Sequence, residues 1–206
     1  MIGYSVQKSL QWCLVCVAVL LLAGCISRSA PRVTYYSLMT MEQLGETETL
    51  AALPEVRLGV GPITIPDSLK RSQIATRQQG NQHEFAEFHR WAGVLEKDIT
   101  SVMGDNLGQL LGIEKVGFFP WLHHFKPTYR VTIDVIRFDG SLEDEAVLSA
   151  RWAVADSGGK DFLAGRKSDY RQPLADASFA ALIKAESQLL AALSKEIAAE
   201  IVALQK

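Results

Sequence analysis

The residues best placed to do chemistry in this chain are Leu22-Ala23-Gly24-Cys25. They close an apolar run, Leu14 to Leu22, behind an N-terminal region whose only side-chain cation is Lys8. A cation, an apolar run and then small residues is the order of a secretory signal. The run is short for a membrane span, which needs about 20 residues. Small residues at Ala23 and Gly24 let the chain lie extended in a peptidase groove, and the residue after that cut carries a thiol. A plain secretory signal and a retained N-terminal helix are the competing readings.

A small-small-Cys ending at this distance from the apolar run is similar to the lipobox of bacterial lipoproteins. The resemblance implies that the Cys25 thiol is diacylated, that cleavage follows Gly24, and that the new N-terminus is acylated. More than one acyl chain gives stable anchoring, because each buried CH2 contributes about 0.8 kcal/mol. No other cofactor is expected beyond this covalent lipid. Ile26 stands where an aspartate would resemble an inner-membrane retention signal. In a two-membrane envelope that favours the outer membrane, with the body facing the periplasm.

Other reactive side chains form no recognisable constellation. The histidines are His83, His89, His123 and His124, and a metal site would need more ligands at workable spacing. No Gly-x-Ser-x-Gly elbow, P-loop or dinucleotide glycine fingerprint occurs. Glu143, Asp144 and Glu145 are most simply a solvated turn. Cys13 and Cys16 lie in the signal, so a lipidated Cys25 leaves no thiol for a disulfide or a nucleophile. These absences point to a protein that is not an enzyme and holds no metal, with a periplasmic hydrolase built on a His-Asp-Ser set from distant residues as the last-ranked alternative. Phe118, Phe119, Trp121 and Phe125 cluster around Pro120. They are either a loop folded onto the core or an exposed apolar contact for lipid or a partner protein.

The 206-residue chain carries a formal charge of −2. Cleavage after Gly24 removes one cation and no acid, leaving a slightly acidic body of the size of one domain with a proper core. Such a body gives no support for nucleic-acid binding, which wants a basic face. The expected organisation is a signal over 1–24, a lipidated tether over 25–32 and one folded domain over 33–206.

Within that domain, β-formers predict strands at Val33–Leu38, Glu55–Val60 and Glu114–Phe118. The second should stop at a turn on Gly61-Pro62, with Ile63–Ile65 extended after it. Gln73–Arg77 and Glu84–Phe88 flank Gly80-Asn81 and predict a hairpin. Tyr129–Phe138, Glu145–Ala155 and Asp161–Tyr170 predict an antiparallel meander whose first turn begins at Asp139-Gly140. Helical spacing predicts helices over Gly93–Leu111 and Ser178–Leu204. In the second, Ile183, Leu190, Ile197 and Leu204 recur every seven residues, as in a helix lying across the sheet or one that also meets another subunit. The expected class is α+β: a single domain, a mostly antiparallel sheet, and two main helices packed on it.

Five segments together resemble a known family: Tyr35-Tyr36-Ser37-Leu38, Arg57 to Ile63, Ile74-Ala75-Thr76-Arg77, Phe88-His89-Arg90-Trp91-Ala92 with Leu95, and Asn106-Leu107. In this order behind a lipidated cysteine they look like the ABC-type transport auxiliary lipoproteins, nearest the PqiC (YmbA) group. The resemblance implies an outer-membrane lipoprotein of an MCE-family (PqiABC-like) intermembrane lipid transport system. Its partners would be a tunnel-forming MCE protein and its inner-membrane component. The lipoprotein would receive the tunnel's far end and support envelope integrity, and a homo-oligomeric ring is one way to match that tunnel. Lipid carriage by the lipoprotein itself, as an independent shuttle or chaperone, is the alternative. The family brings no catalytic residues.

Overall fold

The computed structural model describes residues 31–78, 82–122 and 124–205. The chain divides into two units, residues 1–32 and 33–206, and the described fold is that of the second. Gly24 and Cys25 lie outside the described residues.

Among the described residues this unit has eight strands and two α-helices. In chain order they are β1 (Thr34–Tyr36), β2 (Leu58–Thr64), β3 (Gln73–Arg77), β4 (His83–Trp91), α1 (Leu95–Leu111), β5 (Val116–Phe118), β6 (Tyr129–Gly140), β7 (Glu145–Ala155), β8 (Phe162–Pro173) and α2 (Phe179–Ala203). The longest ladders are the antiparallel β6–β7 and β7–β8 pairings of the meander. Shorter parallel pairings join β2 to β6, β2 to β5, and β1 to β4. The β3–β4 hairpin completes one open mixed sheet in which β5 ends the row β1-β4-β3-β6-β2-β5. The expected α+β class is what the chain adopts.

Period-two alternation in β6 buries Val131, Ile133 and Val135 against their β7 neighbours Val154, Trp152 and Ala150. The helices cover this face. Ile183, Leu190 and Ile197, three of the residues spaced by seven, are buried within this same chain. Their regular spacing therefore serves the layer between sheet and helices. Ser178 caps α2 by accepting a hydrogen bond from the Ala181 N–H at 3.1 Å.

The long segment before β2 is held by polar side chains of the helices. Asp98 accepts the Leu38 N–H at 2.9 Å, Ser187 the Met39 N–H at 3.0 Å, and buried Asn106 the Met41 N–H at 2.8 Å. The same segment also caps α1, whose last carbonyls have no partner inside the helix. The Leu50 N–H bonds the Leu110 carbonyl at 2.7 Å, and the Leu53 N–H bonds that of Leu111 at 2.8 Å. Gly112 ends α1 in the left-handed region at φ 58.

Two sequence expectations are corrected. Gly61-Pro62 does not end a strand: Val60 pairs with Val131 and Ile63 with Ile133, so the two residues form an irregularity inside β2. Gly61 allows it by taking φ 109, a conformation that costs other residues strain. Nor does the meander's turn begin at Asp139-Gly140. Both belong to β6, Asp139 opposite Val147 and Gly140 opposite Ala146, and the chain reverses after Ser141.

Candidate docking surface

The aromatic cluster lies at the β5 end of the sheet, and glycines decide how each ring sits. A Cβ on Gly117 of β5 would come within 2.4 Å of the Phe125 ring. One on Gly59 of β2 would meet Trp121 and Pro127 at 3.0 Å. These two glycines are register partners, so Trp121 and Phe125 lie over a strip of bare backbone. The Arg130 guanidinium stands 5.3 Å from the centre of the Trp121 ring. Across the strand, Phe118 lies over Gly104 of α1, where an added Cβ would be 2.3 Å from the ring.

The four aromatics therefore do not share one environment. Trp121 and Phe125 are half-buried, while Phe118 is 41% and Phe119 51% exposed. Leu122 is 69% exposed beside them. Phe119 meets Trp121 edge to face at 5.3 Å. Between this prow and the first turns of α1 runs a groove of about 610 Å³, lined by Pro62, Ile63, Phe118, Phe119, Lys97 and Thr100, among others. The glycines let the Phe118, Trp121 and Phe125 rings pack close on bare backbone, while Phe119 and Leu122 stand out in water beside them. The sequence signal for this was present in the glycines at Gly59, Gly104 and Gly117, since glycine inside a strand or helix often marks close approach.

The remaining candidates are dispersed. His83 is 3.9 Å from Asp139, whereas His89 stacks on Phe179 with centroids 4.0 Å apart and hydrogen-bonds the Tyr36 hydroxyl at 2.9 Å. His124 lies in the turn after Trp121, and His123 is outside the described residues. Among the described residues no group of three metal-ligating side chains occurs, and no helix is long and apolar enough to cross a membrane. Glu145 of the acidic turn pairs with Arg171. Trp91 is buried, and Arg77 bonds Asp139 at 2.8 Å, so both do structural work.

On the helix-free face of the sheet a second groove, of about 600 Å³, runs over Thr132, Ala153 and Gly165. The Phe162 ring leans over Gly165, with Arg151 and Lys167 along the rim.

A family model described as ABC-type transport auxiliary lipoprotein component matches residues 36–198. No curated protein matches the chain. Among solved structures, an uncharacterized protein superposes with a TM-score of 0.66 at 20% identity, covering 82% of this chain and 99% of its own. Protein XCC0632 from Xanthomonas campestris, of family DUF330, gives a TM-score of 0.68 at 17% identity, covering 84% and 98%. At these identities the likeness is one of fold.

Proposed function

We propose, on the premise that this chain belongs to the ABC-type transport auxiliary lipoprotein family, that it docks an intermembrane transport machine at the outer membrane. In this reading the acyl chains on Cys25 hold the body at the periplasmic face of that membrane. The partner is the MCE-family tunnel protein of a PqiABC-like lipid transport system, with its inner-membrane component behind it. The protein carries out no chemistry of its own and supports envelope integrity by holding the tunnel's far end. The observation that carries this reading is the exposed prow of Phe118, Phe119 and Leu122, set on Trp121 and Phe125 over bare glycine backbone. Exposed apolar side chains on a rigid seat are what a protein partner buries most productively.

The test is a detergent pull-down of the C-terminally tagged lipoprotein from its native envelope, with partners identified by mass spectrometry. An MCE protein should be recovered, and less of it with Phe118→Ser/Phe119→Ser. Recovery of the correctly lipidated protein alone would sink the docking reading. A second reading, in which the protein itself carries lipid, is favoured only by the groove over Thr132, Ala153 and Gly165. Native mass spectrometry of the Cys25→Ala form would then find a bound lipid.

A further inference from the structure

Strand β5 ends the sheet, and its hydrogen bonding leaves one side unused. The Leu58 N–H bonds the Lys115 carbonyl at 3.1 Å, and the Phe119 N–H bonds the Val60 carbonyl at 2.9 Å. In a parallel ladder, alternate residues of a strand face the neighbour. Lys115, Gly117 and Phe119 therefore turn their backbone toward β2. The N–H and C=O groups of Val116 and Phe118 point outward and have no partner among the described residues. Beside this edge lies a groove of about 630 Å³, lined by apolar Val116, Ile113 and Phe118 and by the acids Glu42, Asp105 and Glu114, among others. All three acids are exposed, and no salt bridge neutralises them among the described residues. Their neighbours Glu46 and Glu48, by contrast, share Lys195 at 3.0 Å each.

We infer that the free edge of β5 takes an extended segment of a partner protein as an added strand, with lysine or arginine side chains reaching into the acidic groove. An unpaired edge offers hydrogen bonds only to extended backbone, and the walls select for positive charge. Long basic side chains suit both parts of the groove, since their stems cover Val116 and Phe118 while their heads reach the carboxylates. The identity of the partner as a transport component rests on the docking reading above; the added strand does not.

The experiment uses the detergent-solubilised full-length lipoprotein and a fluorescein-labelled heptapeptide of alternating lysine and threonine. Binding is read by anisotropy. A glutamate–threonine peptide, and the lysine peptide N-methylated on alternate amides, should each bind about tenfold more weakly or worse. Val116→Pro removes one outward N–H without touching the β2 ladder, and Asp105→Lys reverses a wall charge. Each should weaken the lysine peptide by about tenfold while circular dichroism and the melting midpoint stay near wild type. Equal binding of all three peptides, or wild-type affinity in folded Val116→Pro, overturns the added strand. The same two variants are then carried through the envelope pull-down. If they recover as much MCE protein as wild type, docking stands and the transport component is not what supplies the added strand. If the peptide binds in a β5-dependent way but no transport component is recovered, the added strand stands and docking falls.

Discussion

The Asp139 side chain is only 3% exposed, yet it lies between two guanidinium groups, Arg77 and Arg137, each 2.8 Å away. Burial pushes its carboxyl up, but the hydrogen bonds and charges of the two arginines outweigh this and hold it below the ordinary carboxylate value. A depressed carboxylate stabilises the fold fully above its unfolded pKa, and that stability is lost as pH falls through the folded value. Asp139→Asn leaves two charges facing a neutral amide. It should cost about 3 kcal/mol at neutral pH in denaturant unfolding, and less at acid pH. Glu186 on α2 is the opposite case. Its Oε2 is buried with no hydrogen-bond partner, and burial together with the charge of Asp139 pushes its carboxyl well above the usual range. Here the native state holds a proton that the unfolded chain releases. The penalty is absent below the unfolded pKa and grows as pH rises toward the folded one. Glu186→Leu should therefore stabilise the protein by about 1–3 kcal/mol at neutral pH and flatten the decline of stability with rising pH. An unchanged pH slope would refute this account of Glu186.

At the scale of elements, glycines set how closely strands, helices and rings approach, and what lies above each one decides the effect of replacing it. Above Gly140 an added Cβ would meet the Glu145 carbonyl and Leu182 at 2.7 Å and the Ala146 Cα at 2.9 Å. Backbone cannot step aside, so Gly140→Ala should cost about 1–3 kcal/mol in thermal or denaturant unfolding. Above Gly104 the close atoms are the far end of the half-exposed Phe118 ring, with the Val116 Cγ1 at an ordinary 3.4 Å. Gly104→Ala lets that ring swing away while the helix gains up to about 1 kcal/mol of propensity. The melting midpoint should hold or rise and, on the docking proposal, recovery of an MCE protein should fall. A variant that loses stability and keeps its partner would contradict this role for the ring.

For the whole molecule, the unit over 33–206 buries its own core between one sheet face and two helices, so its stability should not depend on the anchor. Cys25→Ala should move the protein from the membrane pellet to the soluble fraction with an unchanged unfolding midpoint. In the wild type, density-gradient fractions should place the protein with the outer membrane. On the docking proposal, which needs the body held at the membrane, barrier sensitivity should appear in the Cys25→Ala strain as in a deletion.

Much of this was legible in the residues. The alternation of β6 and β7, the three- and four-residue spacing of the two helices, and the stop at Gly112 are local patterns, and local patterns survive in any tertiary context that buries one face. The small-small-Cys ending is an equally local pattern, and it lies outside the described residues. Non-local contacts were not legible. That β2 pairs in parallel with β6 and runs through Gly61-Pro62 depends on a neighbour about 70 residues away, so no turn rule could foresee it. Asp139-Gly140 has the composition of a turn, but Arg77, distant in sequence, makes it a buried strand end. The aromatic cluster divides into half-buried and exposed rings because the glycines beneath it come from β2, α1 and β5. Composition named the residues of the aromatic cluster, and only the meeting of those three elements decided which of them water can reach.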